Sequence, residues 1–190
     1  MLKLCQFLLL TSYSDPLPQE RLCLKDFILT PVTQEALPNL KKDIELFYAD
    51  SLLKAGLYQN QANAIMAAER TLEASAADHV YFHIAQDETP CGYLSYYMQE
   101  HSIFIHMLFL DEAYRGYGIG EHILRQLEWQ QRESGIESIE LYVFAYNERA
   151  IKFYERLGFQ IINSDIYEDR VIGHTMKKIL PKTAKVGESL

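Results

Sequence analysis

The chain is poor in basic residues: 18 Lys and Arg face 26 Asp and Glu, for a formal charge of −8, and the cations form no run or stripe. Neither a phosphate backbone nor an anionic bilayer is drawn to such a surface, so no nucleic acid and no membrane partner is expected. Cysteine is scarce and unpaired in pattern. Cys5, Cys23 and Cys91 are odd in number, widely spaced and without a Cys-x-x-Cys, which argues against a disulfide framework and a zinc site and fits a reducing cytoplasm. His79 and His83 lie four apart on an expected strand, too far to share a metal easily, and no His-Glu-x-x-His helix exists, so no metal is expected. Long apolar runs are missing too. The stretch from Leu2 to Leu10 is broken by Lys3 and Gln6, has no clear small-residue cleavage site, and is too short to span a bilayer.

Pro and Gly fall singly between periodic segments and no repeat appears, which predicts one domain over residues 22–181. An N-terminal extension (1–21) and a C-terminal tail (182–190) flank it. Leu22 to Thr30 reads as a strand, and Leu40, Ile44, Phe47 and Leu52 give a helical stripe from about Pro38 to Ala55. A second helix follows from Gln61 to about Ala76. Three strands come next, Val80 to Ala85, Gly92 to Gln99 and Ser102 to Leu110, with Asp87 and Pro90 marking the first turn. Period 3.6 then sets in, with Ile119, Ile123, Leu124 and Leu127 on one face of a helix that opens at Gly118. Ile139, Leu141 and Val143 alternate in a further strand. Asn147 is placed to cap a helix through Tyr154 and Leu157 that Gly158 ends, and Phe159 to Ile162 and Val171 to Ile179 add two strands. The order β-α-α-β-β-β-α-β-α-β-β is an α+β architecture with a mixed sheet.

The strand-to-helix junction carries glycines at 116, 118 and 120. Backbone N–H groups at such a junction can turn toward an anion, helped by the positive helix end, which makes a cradle for a pyrophosphate. A nicotinamide-dinucleotide loop would need G-x-G-x-x-G, but Glu121 stands where the third glycine belongs. The Gly-Lys-Ser/Thr ending of a nucleoside triphosphatase is absent as well.

The segment Leu110-Asp-Glu-Ala-Tyr-Arg115-Gly-Tyr-Gly118-Ile-Gly120 resembles the coenzyme A loop of the GNAT acetyltransferase superfamily, whose pattern is Arg/Gln-x-x-Gly-x-Gly/Ala. Asn147-Glu-Arg-Ala150-Ile-Lys-Phe-Tyr154-Glu-Arg-Leu-Gly158-Phe159 is similar to the second motif of that superfamily, and the two are specific as a pair. The resemblance implies a mostly antiparallel sheet with a splayed strand pair and flanking helices, and acetyl-CoA as co-substrate. It implies that Phe109 and Leu110 end the splayed strand and offer backbone groups to the pantetheine arm. Gly116, Tyr117, Gly118, Ile119 and Gly120 would hold the pyrophosphate, with Arg115 at the mouth. Asn147 would bond the pantetheine or acetyl region, although a cap is an equally good reading of it, and Tyr154 would protonate the departing thiolate unless it is one more core aromatic.

Acetyl transfer to an amine also needs the amine proton removed. On Ser102 to Leu110 the positions of one parity are Ser102, Phe104, His106, Leu108 and Leu110, so His106 is the titratable candidate on that face. Its place four residues before Leu110 resembles that of a histidine base in arylalkylamine acetyltransferases. Glu140, Tyr142 and water-mediated deprotonation stay open beside it, and an acid limb near pH 6 to 7, roughly, is expected if the ring is the base. Tyr93, Tyr96 and Tyr97 either line an acceptor pocket or supply sheet propensity. The expected activity is N-acetyl transfer to a primary amine of a small molecule or peptide, without an acyl-enzyme, and the competing class is a non-catalytic acyl-CoA-binding module. The sequence leaves the acceptor and formation of a homodimer open.

Overall fold

The computed structural model describes residues 26–74, 79–86, 89–131 and 134–181. The N-terminal extension with Cys5, Leu22 to Lys25 with Cys23, the Asp87 turn, the end of the expected second helix and the tail after Pro181 lie outside them. Within them the elements follow the order read from the sequence. They are β1 (Phe27–Pro31), α1 (Leu37–Lys54), α2 (Gln61–Ala74), β2 (His79–Gln86), β3 (Thr89–Met98), β4 (Ser102–Leu110), α3 (Ile119–Gln131), β5 (Ser138–Phe144), α4 (Glu148–Arg156), β6 (Gln160–Tyr167) and β7 (Arg170–Ile179).

The strands form one seven-stranded sheet in the order β1-β2-β3-β4-β5-β7-β6. Every neighbouring pair is antiparallel except β4 and β5, which run parallel and pair only from Ser102–Ser138 to Ile105–Leu141. Past that point β4 continues to Leu110 and β5 to Phe144 without pairing to one another, so the sheet opens into a fork.

Each face of the sheet carries its own helices. On one face Ile103, Ile105, Ile139 and Leu141 pack with Ile119, Ile123, Leu124 and Leu127 of α3 and with Tyr154 and Leu157 at α4. The four α3 residues are those of the predicted stripe, and each is at most 1% exposed. Burying an aliphatic side chain this completely is worth about 1.5–3 kcal/mol, so α3 is held by that stripe. A Lys178–Glu128 ion pair adds a tie between β7 and α3. On the other face α1 and α2 pack through Leu40 and Ile44 on Met107, Tyr81 and Phe109, and through Ala49, Leu52, Ala64 and Ala68 on each other and Phe144.

The strict alternation expected along β4 breaks at one residue. Ser95 of β3 pairs with Met107 and Tyr96 with Ile105, leaving His106 as the extra residue of a β-bulge. A bulge bends its strand and resets which way later side chains point. Leu108 and Leu110 therefore join the α3 and α4 face, while Met107 and Phe109 turn to the α1 face. His106 does not share a face with Leu108 and Leu110, as uninterrupted parity predicts. Its ring lies 4.8 Å from that of His79, which stacks on Tyr97, and Tyr97 in turn stacks on Phe104. The bulge also falls immediately after the last β4–β5 pair, so the bend in β4 and the opening of the fork begin together.

Candidate active site

After β4 a single 3-10 turn, Glu112–Tyr114, leads into the glycine loop. Gly116 and Gly118 hold φ of 90° and 83°, values that side chains with a Cβ rarely adopt. Gly120 serves another purpose, since its Cβ would stand 3.3 Å from Cζ of Phe153 on α4. Hydrogen there lets the two helices approach. Main-chain donors in this stretch are used at Tyr114 (to Asp111 O) and Arg115 (to Glu112 O), and again at His122 (to Gly118 O). Between them the N–H groups of Gly116 to Glu121 find no acceptor among the described residues. Six such donors at the positive end of a thirteen-residue helix are groups that a doubly charged anion such as a pyrophosphate could engage.

Arg115 closes back on the strand it follows. Its Nε donates to the Leu110 carbonyl at 2.7 Å, and the guanidinium lies over the Phe109 ring at 5.4 Å. Toward β5 the main chain of Phe109 and Leu110 is free of strand pairing, as expected of the splayed end, but the Leu110 oxygen is engaged by Arg115.

The second motif folds as α4 directly beyond β5. Asn147 is its N-cap: Oδ1 accepts from the Ala150 N–H at 3.2 Å, which leaves the amide nitrogen as a donor. Tyr154 lies on the buried side of α4 between the rings of Phe153 (5.1 Å) and Phe159 (5.5 Å). Burial alone pushes its phenol up to about 12, so it is protonated at any physiological pH. Its ring is packed as a core aromatic would be, and its phenol keeps its proton.

On the α1 face, His106 sits where the fork begins. Ser95 Oγ lies 3.5 Å from its Nδ1, and burial, reinforced by the neighbouring His79, lowers its pKa to about 4. The expected value near 6 to 7 is therefore displaced downward by desolvation of the charged ring. Of its competitors, Glu140 is paired with Lys177 at 2.8 Å, and burial pushes the Tyr142 phenol up to about 12. Tyr93 and Tyr97 face α1 with His83 and His79, whereas Tyr96 is buried on the opposite face against Phe82. Cys91 is buried, its thiol donates to Ile84 O at 3.2 Å, and burial together with Asp111 pushes its pKa up to about 11. Such a thiol is a poor nucleophile at neutral pH.

Sequence reasoning missed Ser95, whose contact with His106 depends on the β3–β4 register, and the ring contact of His79 with His106. It also missed Gly173, over which the Tyr142 ring lies. A cavity of about 300 Å³ lies elsewhere, lined by Leu52, Leu57, Tyr58, Ala67, Thr71 and Tyr167, and contains none of the predicted site residues. Among the described residues no three His, Cys, Asp or Glu side chains gather as a metal site would need, and no helix is long and apolar enough to cross a membrane.

Residues 45–159 match the Acetyltransferase (GNAT) family. The uncharacterized N-acetyltransferase YycN of Bacillus subtilis is 29% identical over 144 residues, 70% of this chain and 92% of that one. The crystal structure of YycN, a putative acetyltransferase, superposes with a TM-score of 0.68 at 26% identity, over 76% of this chain and 99% of that one. The uncharacterized N-acetyltransferase YdgE of the same organism is 32% identical over 93 residues, and the match spans 46% of this chain and 59% of YdgE. The PaiA N-acetyltransferase of Thermoplasma acidophilum, solved in complex with coenzyme A, shares the fold with a TM-score of 0.60 at 20% identity, over 80% of this chain and 98% of its own. With the family matched over more than half of its length, the chain belongs to the GNAT acetyltransferase family.

Proposed function

We propose that this protein is an N-acetyltransferase that moves acetyl from acetyl-CoA directly to a primary amine of a small molecule or a peptide. The observation that carries the reading is the row of six N–H groups from Gly116 to Glu121 that find no acceptor among the described residues, set at the start of α3 and beside the unpaired end of β4. The coenzyme A in the PaiA structure and the names of YycN and YdgE support it.

Bound acetyl-CoA would supply an acetyl group already activated as a thioester. The chain's own residues have four tasks. The N–H groups of Gly116, Tyr117, Gly118, Ile119 and Gly120 hold the pyrophosphate, and Arg115 exchanges the Leu110 carbonyl for a phosphate oxygen. Phe109 and Leu110 lend an unpaired strand edge to the pantetheine arm, as a sheet edge does to an added strand, and the Asn147 amide nitrogen donates from the opposite prong. His106, neutral at pH 7, takes the amine proton directly or through one water. Tyr154 delivers its proton to the departing sulfur, the step that a fully protonated buried phenol can perform. Cys91 is held as a neutral thiol, Glu140 is engaged by Lys177 and Tyr142 is held protonated by burial, which supports direct transfer with His106 as the proton acceptor.

The reading is tested by offering the protein acetyl-CoA with a panel of polyamines, arylalkylamines, aminoglycosides, amino acids and N-terminal peptides. Released coenzyme A thiol is the readout. Micromolar acetyl-CoA binding with thiol release that depends on one class of amine is the expected outcome. Binding without amine-dependent release from any member would leave an acyl-CoA-binding module instead.

A further inference from the structure

Helix α1 lies over the fork, and two consecutive residues of it go to opposite prongs. Phe47 meets Phe109 of β4 edge-on at 5.4 Å, and Tyr48 meets Phe144 of β5 at 6.0 Å. Phe144 is flanked in turn by Tyr142 at 5.5 Å and Tyr146 at 5.7 Å. Rings therefore wall the opening on the side away from α3. Of the carboxylates that β5 and β6 bring to this face, Glu140 is already committed to Lys177.

Tyr142 is the first residue of β5 beyond its last pair with β4, the counterpart of His106 on the other prong. A tyrosine standing upright there would fill the fork. It lies instead across β7, over Gly173, which pairs with Phe144 on one side and Asp165 on the other. A Cβ at Gly173 would stand 2.2 Å from the Tyr142 Oη and 2.4 Å from its Cζ, so the ring occupies the space that a side chain would take. Gly173 is not among the residues with positive φ, so glycine is required there by the ring and not by the backbone. Asp165 of β6 pairs with Gly173 on the far side, where its charge, after burial, helps hold the Tyr142 phenol up at about 12.

We infer that Tyr142, laid across Gly173, is the specificity-determining wall of the acceptor passage, and that this passage takes a primary amine borne on a flat apolar group in preference to a polycation. Aromatic faces and edges gain contact area against a flat apolar body. A polycation would have to lose hydration against these rings, and Glu140, held by Lys177, is not free to compensate that loss. The inference rests on the reading of the fork as the place of acetyl transfer.

The test uses the intact protein loaded with coenzyme A and titrated calorimetrically with 2-phenylethylamine and with spermidine, alongside thiol release from acetyl-CoA with each amine. The expected result is that 2-phenylethylamine binds at least about tenfold more tightly and has the higher kcat/KM. Gly173→Ala should weaken 2-phenylethylamine about tenfold or more while acetyl-CoA affinity stays unchanged, and adding Tyr142→Ala to Gly173→Ala should bring amine affinity back to that of Tyr142→Ala alone. Tyr142→Leu removes the ring without crowding position 173, and it should erase the preference between the two amines. Tighter binding of spermidine, no measurable binding of 2-phenylethylamine, an unchanged preference in Tyr142→Leu, or unaltered amine binding in Gly173→Ala would each overturn the inference. Failure of the wild-type protein to bind acetyl-CoA, or to release thiol with any amine of the panel, counts instead against the acetyltransferase reading.

Discussion

From Gly116 to Glu121 the chain presents main chain; on the α1 side of the fork, at His106, Tyr142 and Phe47, it presents side chains. On the proposed reading the loop would face a ligand group of fixed shape and charge, which backbone N–H groups at a helix start can meet without any particular side chain. The fork, if it receives the acceptor as proposed, would have to suit one amine among many, and each of its contacts depends on where a neighbouring strand or helix lies. Two neighbouring halves of one site thus follow different physics, and substitutions in them should fail in different ways.

The largest effect is expected where the main chain itself is changed. Gly118→Val forces a β-branched residue into φ of 83° and aims its methyls at the anion, so acetyl-CoA affinity in calorimetry should fall about 10³-fold or more, with amine binding to the fork untouched. Retained affinity would erase the distinction by showing that the loop does not act through its backbone. Tyr154→Phe stands next. The ring contacts with Phe153 and Phe159 survive while the proton is lost, so turnover should drop about 10²-fold with acetyl-CoA affinity and melting temperature nearly constant.

His106→Gln should lower kcat/KM about tenfold, less than a well-matched base would lose, because a ring with a pKa of about 4 has little affinity for the proton it accepts. The wild-type profile should lose activity only as pH falls toward 4, and that limb should vanish in the variant. Stability carries the same sign. The folded pKa is depressed below the ordinary 6.5, so the neutral ring's contribution is complete above that value and is lost as pH falls through about 4. Denaturant melts should therefore show a shallower acid loss for His106→Gln between those limits, and an unchanged slope would return His106 to the packing of the sheet. The smallest effect is expected of Asn147→Ala, which removes the Oδ1 bond to Ala150 and should cost about 1 kcal/mol of stability by chemical denaturation. A much larger loss in turnover than in stability would mark the amide as a ligand of the pantetheine arm as well as a cap.

Legibility followed the range of the interactions. The order of elements, the ends of β4 at Ser102 and Leu110, the α3 stripe and the Asn147 cap were readable because each is set by residues within one or two turns of one another. The face on which His106 sits was not. Alternation along β4 assumes equal steps on both strands, and the bulge opposite Ser95 and Tyr96 exists only in the pairing. The pKa of His106 escaped for the same reason: Glu140, which could have raised it, is turned to Lys177, while burial and His79 lower it.

By itself the sequence determined the element order and a helix that starts on glycines, because periodicity, capping and positive φ are local properties of the chain. It carried the family's two motifs, and through them the expectation of where acetyl-CoA binds. Tertiary structure alone decided that β4 bends at His106, that Phe47 and Tyr48 close on opposite prongs, and that the Tyr142 ring lies in the gap at Gly173. Each of these joins residues far apart in the chain, and a contact of that kind forms only when sheet register and helix packing bring the partners within a few ångströms.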